Sequence, residues 1–340
     1  MGGNTDFRQI AFHTFSKTNR PTMEKIKNSL DYCLKTPTLL SIFAGSVLLA
    51  WQILYGLTPS VQIGFFVFFM VVTGIPHGAL DHLVEAQTLK KRQIAFRLPF
   101  FLAKYLLTMT IYGVVWYALP TPSLLFFLII SSWHFGETDL DAVPFTKRWQ
   151  ITRFLFGGLI LTILLLTHAA EVTPIWARIV RNDAITLNMW KLITDNALIF
   201  ISLWSIFFVL AFISAQYQAP TRFDKNRFFR LAAVLLLAYF LPLLPAFALY
   251  FGGWHAVCSF QSIQNYLLQN NQTTFKTPLS IWKKSLPFTA VAVLFLTFMA
   301  WYWQHFLQNW DPIPVFFIFL SLITLPHLNV MHSVNKSIAC

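Results

Sequence analysis

The sequence predicts an all-α integral membrane bundle of about ten transmembrane helices, within a range of eight to ten. Three observations carry this expectation. Hydrophobic residues make up 56% of the 340 and charged residues only 11%, against roughly 25% charged in an average soluble chain. Mean hydropathy is +0.59. Apolar runs of about 20 residues, the length that crosses a hydrocarbon core, recur along the chain.

Taken in order, residues 1–36 are polar and mildly basic with no signal-peptide apolar core, so they read as an uncleaved cytoplasmic segment. Spans are expected at about 37–57, 60–82, 98–118, 121–139, 150–170, 196–216, 229–244, 246–264, 285–305 and 312–332. Only the prolines of Leu241-Pro242-Leu243-Leu244-Pro245 divide the seventh from the eighth, which leaves a kinked or re-entrant arrangement open. The outer connection 171–195 holds Trp176 and Trp190 and suits the membrane interface. The inner connection 265–284 contains a polar loop, Gln269-Asn270-Asn271-Gln272-Thr273-Thr274. Residues 37–333 thus form a single transmembrane domain, followed by a tail at 334–340.

The net charge of +12 encodes topology rather than nucleic-acid binding. With both termini cytoplasmic, the inner segments hold 21 of the 25 lysines and arginines, among them Lys90, Lys91, Arg92, Arg222, Lys225, Arg227, Lys283 and Lys284. The outer loops hold only Arg178, Arg181 and Lys191. This is the positive-inside asymmetry, and it supports the span count and the orientation; the expected location is the plasma (inner) membrane, as a multi-pass protein.

Ionisable side chains inside a span are costly and mark functional sites. Four histidines meet that description: His77 in Gly-Ile-Pro-His-Gly-Ala-Leu-Asp (74–81), His134 in Ser-Trp-His-Phe-Gly-Glu (132–137), His255 in Gly-Gly-Trp-His (252–255) and His327 in Leu-Pro-His-Leu-Asn-Val-Met-His (325–332). They lie on the second, fourth, eighth and tenth spans, which all run from outside to inside. Each sits about 5 to 9 residues before the inner end, or about 8–14 Å of helix. Like-oriented helices with imidazoles at one depth can converge on one ion, and imidazole is the commonest protein metal ligand. The alternative is four packing histidines hydrogen-bonded across the bundle.

Carboxylates follow the same side. Asp81 is i+4 from His77 and Glu137 is i+3 from His134, so each is expected beside its own histidine, orienting the ring or binding the metal. Glu85 and Asp139 read as ordinary charges at helix ends. His82 and His332 are i+5 from His77 and His327, about 140° around a regular helix; His82 is assigned a supporting place, whereas His327 and His332 both remain candidates for the metal, with His327 favoured by analogy with His77. The phrase Pro-His-x4-His recurs at 76–82 and 326–332, too short to argue a repeat. His13, His168 and His305 read as interfacial. Cys33, Cys258 and Cys340 form no metal pair, and Cys258 reads as a packing residue.

Imidazole ligands suit zinc, copper, iron and nickel alike. Trp133, Phe135, Trp254 and Phe260 flank the histidines and are expected to line an aromatic cavity for an apolar, extended substrate drawn from the lipid bilayer. Most of the 36 phenylalanines simply fill the bundle.

Pro76-His77-Gly78-Ala79-Leu80-Asp81, with Trp133-His134-Phe135-Gly136-Glu137 and Trp254-His255, resembles the Brp/Blh (bacterio-opsin-related) family of membrane-bound β-carotene 15,15′-dioxygenases, from about residue 40 to 333. The resemblance implies an Fe(II) centre held by histidines, with His77, His134 and His255 as ligands. It implies that O2 splits the central 15,15′ double bond of β-carotene into two molecules of retinal, and it suggests a functional link to a retinal-binding rhodopsin. Some members carry a second histidine one turn after the position of His255. Here that residue is Ser259, so His327 or His332 completes the sphere, or a carboxylate or water does. The competing readings are a lipid hydroxylase or desaturase, whose His-x-x-His-His clusters do not occur here, a metal or proton transporter, and a non-catalytic carotenoid-binding partner.

Overall fold

The computed structural model describes residues 36–141, 143–222, 224–268, 277–306 and 312–339. His13, Cys33, Cys340, most of the N-terminal segment and the 269–274 loop lie outside the described residues. Among the described residues the chain is helical with no strand. The first helices are α1 (Pro37–Tyr55) and α2 (Pro59–Phe69), the latter continuing through a π-helical turn (Met70–Gly74) into the short α3 (Ile75–Gly78). Then come α4 (Asp81–Lys91), α5 (Leu98–Ala118), α6 (Pro120–Asp139), α7 (Lys147–Thr167), α8 (Ala169–Ile179), α9 (Ala184–Asp195), α10 (Ala197–Gln218) and α11 (Lys225–Phe240). The last are α12 (Leu243–Ala248), a second π-helix (Leu249–Ala256), α13 (Val257–Leu268), α14 (Pro278–Phe306) and α15 (Pro312–Ala339).

Helix starts follow local chemistry. Proline stands in the first turn of α1, α2, α5 and α6, where its missing N–H costs nothing. Thr58, Thr146, Asp183 and Asp224 cap α2, α7, α9 and α11 by accepting a backbone N–H. Asp183 is fully exposed, and its bonds to Thr186 hold the carboxyl below the usual range.

Among the described residues, eight helical stretches are long and apolar enough to cross a membrane. Two expected spans do not meet that measure. The fourth forms α6, but its last three turns carry Ser131, Ser132, His134, Glu137, Thr138 and Asp139, all buried. The seventh becomes α11, only 16 residues long, about 24 Å against a core of about 30 Å. The outer connection folds into the amphipathic pair α8 and α9, where Trp176 and Trp190 pack ring on ring at 4.1 Å.

The polar face of α6 is covered by α7. A Cβ on Gly157 would overlap the Ser132 carbonyl, and one on Gly136 would overlap that of Arg153; the two backbones touch. Helices in lipid associate through such small-residue packing because the surroundings supply no hydrophobic drive. Arg153 is fully buried there. It donates from Nε to the Leu140 carbonyl at 3.1 Å and from Nη2 to that of Val143 at 2.6 Å.

Replacing Gly157 by leucine forces this contact apart, so the overpacking cost of about 1–3 kcal/mol is a lower bound. The midpoint of thermal aggregation in detergent is expected to fall well below the parent's. Gly64→Leu, at a site with nothing within 4 Å, is expected to leave it unchanged.

Candidate metal centre

Local irregularity presents the first histidine. His77 follows the π-helical turn, and its Nδ1 faces the Gly74 carbonyl, which leaves Nε2 for another partner. His255 lies near the end of the second π-helix, and His327 follows Pro326 inside α15. His134 sits in regular helix. All four are buried.

One nitrogen each from His77, His134 and His327 lies within 4.8 Å of the other two. Two imidazoles on one ion have nitrogens at most about 4.2 Å apart, twice a bond of about 2.1 Å, so a small shift closes the trio on a metal. His255 joins through His134, with Nε2 to Nε2 at 3.1 Å. Its ring lies 5.6 Å from that of His77, and the His327 ring lies 5.0 Å from His77 and 4.9 Å from His134. His327 Nε2, His134 Nδ1 and His255 Nδ1 are buried with no hydrogen-bond partner. Buried polar atoms are seldom left so. A cluster of imidazoles with orphaned nitrogens fits a metal ion.

The carboxylates fall elsewhere than expected. Asp81 does not serve His77: it accepts from His327 Nδ1 at 2.7 Å and from the Tyr105 hydroxyl at 3.1 Å. The helix breaks at Ala79–Leu80, so the i+4 geometry of a regular helix does not apply. The pair fixes the His327 ring with Nε2 toward the trio, the arrangement that orients metal-bound imidazoles. Glu137 does not serve His134 either. It accepts from His332 Nδ1 at 2.7 Å, tying α6 to α15 one turn beyond the histidines. His332 is thereby held outside the cluster, half-exposed, against the Phe145 ring at 5.5 Å.

Asp139 is buried rather than an ordinary helix-end charge. It accepts from Trp254 Nε1 at 2.7 Å and Tyr250 Oη at 2.9 Å, anchoring the π-helix that carries His255. The sequence signal was there, since an indole buried in a membrane needs an acceptor. His168, expected at the interface, is buried with ring nitrogens 2.8 Å from the Leu164 and Leu241 carbonyls.

Beside the trio opens a cavity of about 670 Å³, within the ~300–1,000 Å³ common for small-molecule sites. Its walls are almost wholly apolar. His77, Asp81, His82 and His134 reach it, as does Phe135. Of the other aromatic residues expected there, Trp254 turns to Asp139, Phe260 packs against a separate apolar cluster, and Trp133 does not reach the wall. His82 places Nδ1 3.0 Å from the Ala79 carbonyl and its ring on Phe288 at 4.5 Å.

The sequence profile described as "Beta-carotene 15,15'-dioxygenase" matches residues 68–335. A curated protein of that name from uncultured marine bacterium 66A03 is 34% identical over 187 residues. That match covers 55% of this chain and 64% of the relative, less than two thirds of its length. No solved structure matches the chain.

The geometry separates the two C-terminal histidines. His327→Ala is expected to abolish co-purified metal, while His332→Ala retains it. Asp81→Asn keeps the shape but weakens orientation of the ring, and metal affinity is expected to fall about 10–100-fold. Metal analysis after dialysis against graded chelator reads all three.

Proposed function

The chain belongs to the beta-carotene 15,15'-dioxygenase family, and from that premise we propose that it cleaves β-carotene with O2 at the central 15,15′ double bond, giving two molecules of retinal. The observation that carries the reading is the buried imidazole cluster opening onto an apolar cavity. His77, His134 and His327 would hold Fe(II), with His255 completing the group beside His134. His332, tied to Glu137, is left out of this set. Iron suits nitrogen ligands and, when bound, supplies the activation of O2 that a closed-shell polyene lacks.

The reaction balances without a reductant. One O2 provides both carbonyl oxygens, and no proton is gained or lost overall. This agrees with the charged groups nearby: Asp81 is engaged by His327 and Tyr105, and Glu137 by His332. They position rings rather than move protons. The cavity walls exclude water and hold the polyene in register against the histidines, the orientation that makes such a reaction effectively unimolecular. Phe251, stacked on His255 at 5.6 Å, and Phe247, stacked on Phe251 at 5.2 Å, give the conjugated chain flat surfaces.

The distribution of lysine and arginine supports a plasma-membrane orientation with both termini cytoplasmic and the histidines in the inner leaflet. Residues 37–333 would act as one catalytic unit. Retinal made within the bilayer would suit a retinal-binding rhodopsin as its consumer.

Expression in a β-carotene-producing bacterium tests the reading. The wild type is expected to bleach the cells and yield retinal by chromatography. His77→Ala is expected to insert normally, bind no iron and leave the pigment intact. Bleaching by that variant at unchanged iron content would remove the site from consideration.

A further inference from the structure

The cavity wall is uneven. Residues around its perimeter are buried or half-buried with three exceptions: Leu106 at 59% exposure, Val291 at 65% and Phe295 at 47%. All three stand on α5 and α14. The first half of α14 is clamped. Ile281 and Ser285 are buried, and the Trp282 indole donates to the Val72 carbonyl at 2.8 Å. Past Phe288 the helix faces outward through Val291, Leu294 and Phe298, touching α15 where Phe295 meets Phe319 at 5.5 Å. Leu106, Val291 and Phe295 thus line the cavity and are exposed on the outside at once.

The other end is closed. Leu124, Val172, Ile175, Ile179 and Leu243 line it and are each at most 8% exposed, sealed beneath α8. Along α15 the blind limb runs from His327 to Phe316, about 16 Å of helix. A symmetric substrate cut at its middle needs room on both sides of the histidines. The blind limb supplies one side, and the second must lie toward the thin wall.

We propose that the slot between α5 and α14, rimmed by Leu106, Val291 and Phe295, is a lateral portal admitting a long apolar polyene directly from the acyl-chain region of the membrane. The occupant follows from the chemistry of the rim, which carries no charge and opens where apolar side chains face lipid. Entry by that route keeps the polyene out of water throughout, avoiding the cost of hydrating its apolar surface. The portal rests on the proposed reaction for the identity of the substrate, so its test measures entry apart from cleavage.

Leu106→Trp and Val291→Trp narrow the rim. In metal-free full-length protein mixed with β-carotene micelles, the shift of the carotenoid absorption band reports uptake, and both variants are expected to slow it at least tenfold. With iron restored, kcat/KM for retinal formation is expected to fall by a similar factor while kcat at saturation stays within twofold. Leu203→Trp, on the lipid face of α10 away from the cavity, is expected to change neither. Should the tryptophan variants fail to fold, Val291→Ala and Phe295→Ala widen the rim and are expected to speed uptake. Uptake at the parent rate in whichever set folds would overturn the portal, even with retinal formed normally. Slowed uptake in the tryptophan variants, with a wild type that forms no retinal, would instead keep the portal and reject the reaction.

Discussion

An imidazole in a membrane bundle must have its nitrogens answered, because hydrocarbon offers them nothing. Here four rings crowd together with too few oxygens to serve them. His77 has the Gly74 carbonyl and His327 has Asp81; the Nε2 atoms of His134 and His255 face each other, and His134 Nδ1, His255 Nδ1 and His327 Nε2 have no partner. Much of the surrounding architecture follows from arranging this cluster. The π-helical turns near His77 and around His255 shift the register by which successive side chains are presented, and such turns recur at functional sites. The small-residue crossing of α6 and α7 lets the polar turns of α6, with His134, be wrapped by protein instead of lipid.

How much of this was legible in the sequence depends on which geometry was needed. Helix positions were readable because length and hydropathy set them. Convergence of His77, His134 and His327 was readable because like-oriented spans put residues of equal depth side by side. The carboxylate partners were not, because the i+3 and i+4 rules hold only within an unbroken helix. The break at Ala79–Leu80 turns Asp81 from His77 to a ring 246 residues away in sequence. Neighbours in sequence also face different ways, about 100° apart in a regular helix. Trp133 and Trp254, read as cavity walls from their place beside histidines, therefore point elsewhere. Tyr105 had only one hydroxyl in a long apolar run to mark it, whereas Asp139 stood among Glu137, Thr138 and Asp141 and read as one more helix-end charge.

The recurring phrase Pro-His-x4-His gains meaning from the structure. In both copies the first histidine enters the cluster and the second leaves it: His82 toward Phe288, His332 toward Glu137. In the unbroken α15 a separation of five residues is enough for that divergence, since it carries a side chain most of the way to the opposite face; between His77 and His82 the break at Ala79–Leu80 intervenes. The proline before each first histidine removes a backbone donor and loosens the local ladder. Both segments thus send one ring inward and its companion to a supporting contact.

Polar ties are distributed very unequally through the bundle. Around the cytoplasm-directed end proposed for α6, Glu137 holds α15, Asp139 holds the second π-helix, and Arg227 of α11 reaches Asp141 at 3.0 Å and the Thr138 carbonyl at 2.7 Å. In lipid, packing and hydrogen bonds must do what water does for a soluble core, so these ties fix the helices that carry His134, His255 and His327. By contrast α5 and the outer half of α14 are mostly exposed, and their long apolar faces meet acyl chains as readily as neighbouring helices. A site that must hold four rings to fractions of an ångström and, in the proposed reaction, admit a stiff, water-insoluble molecule needs both conditions at once. The hydrogen bonds that hold His134, His255 and His327 run through Asp81, Glu137 and Asp139, and α5 is tied to that set by Tyr105; the outer half of α14 makes none of them, so it can be displaced while the rings stay in place.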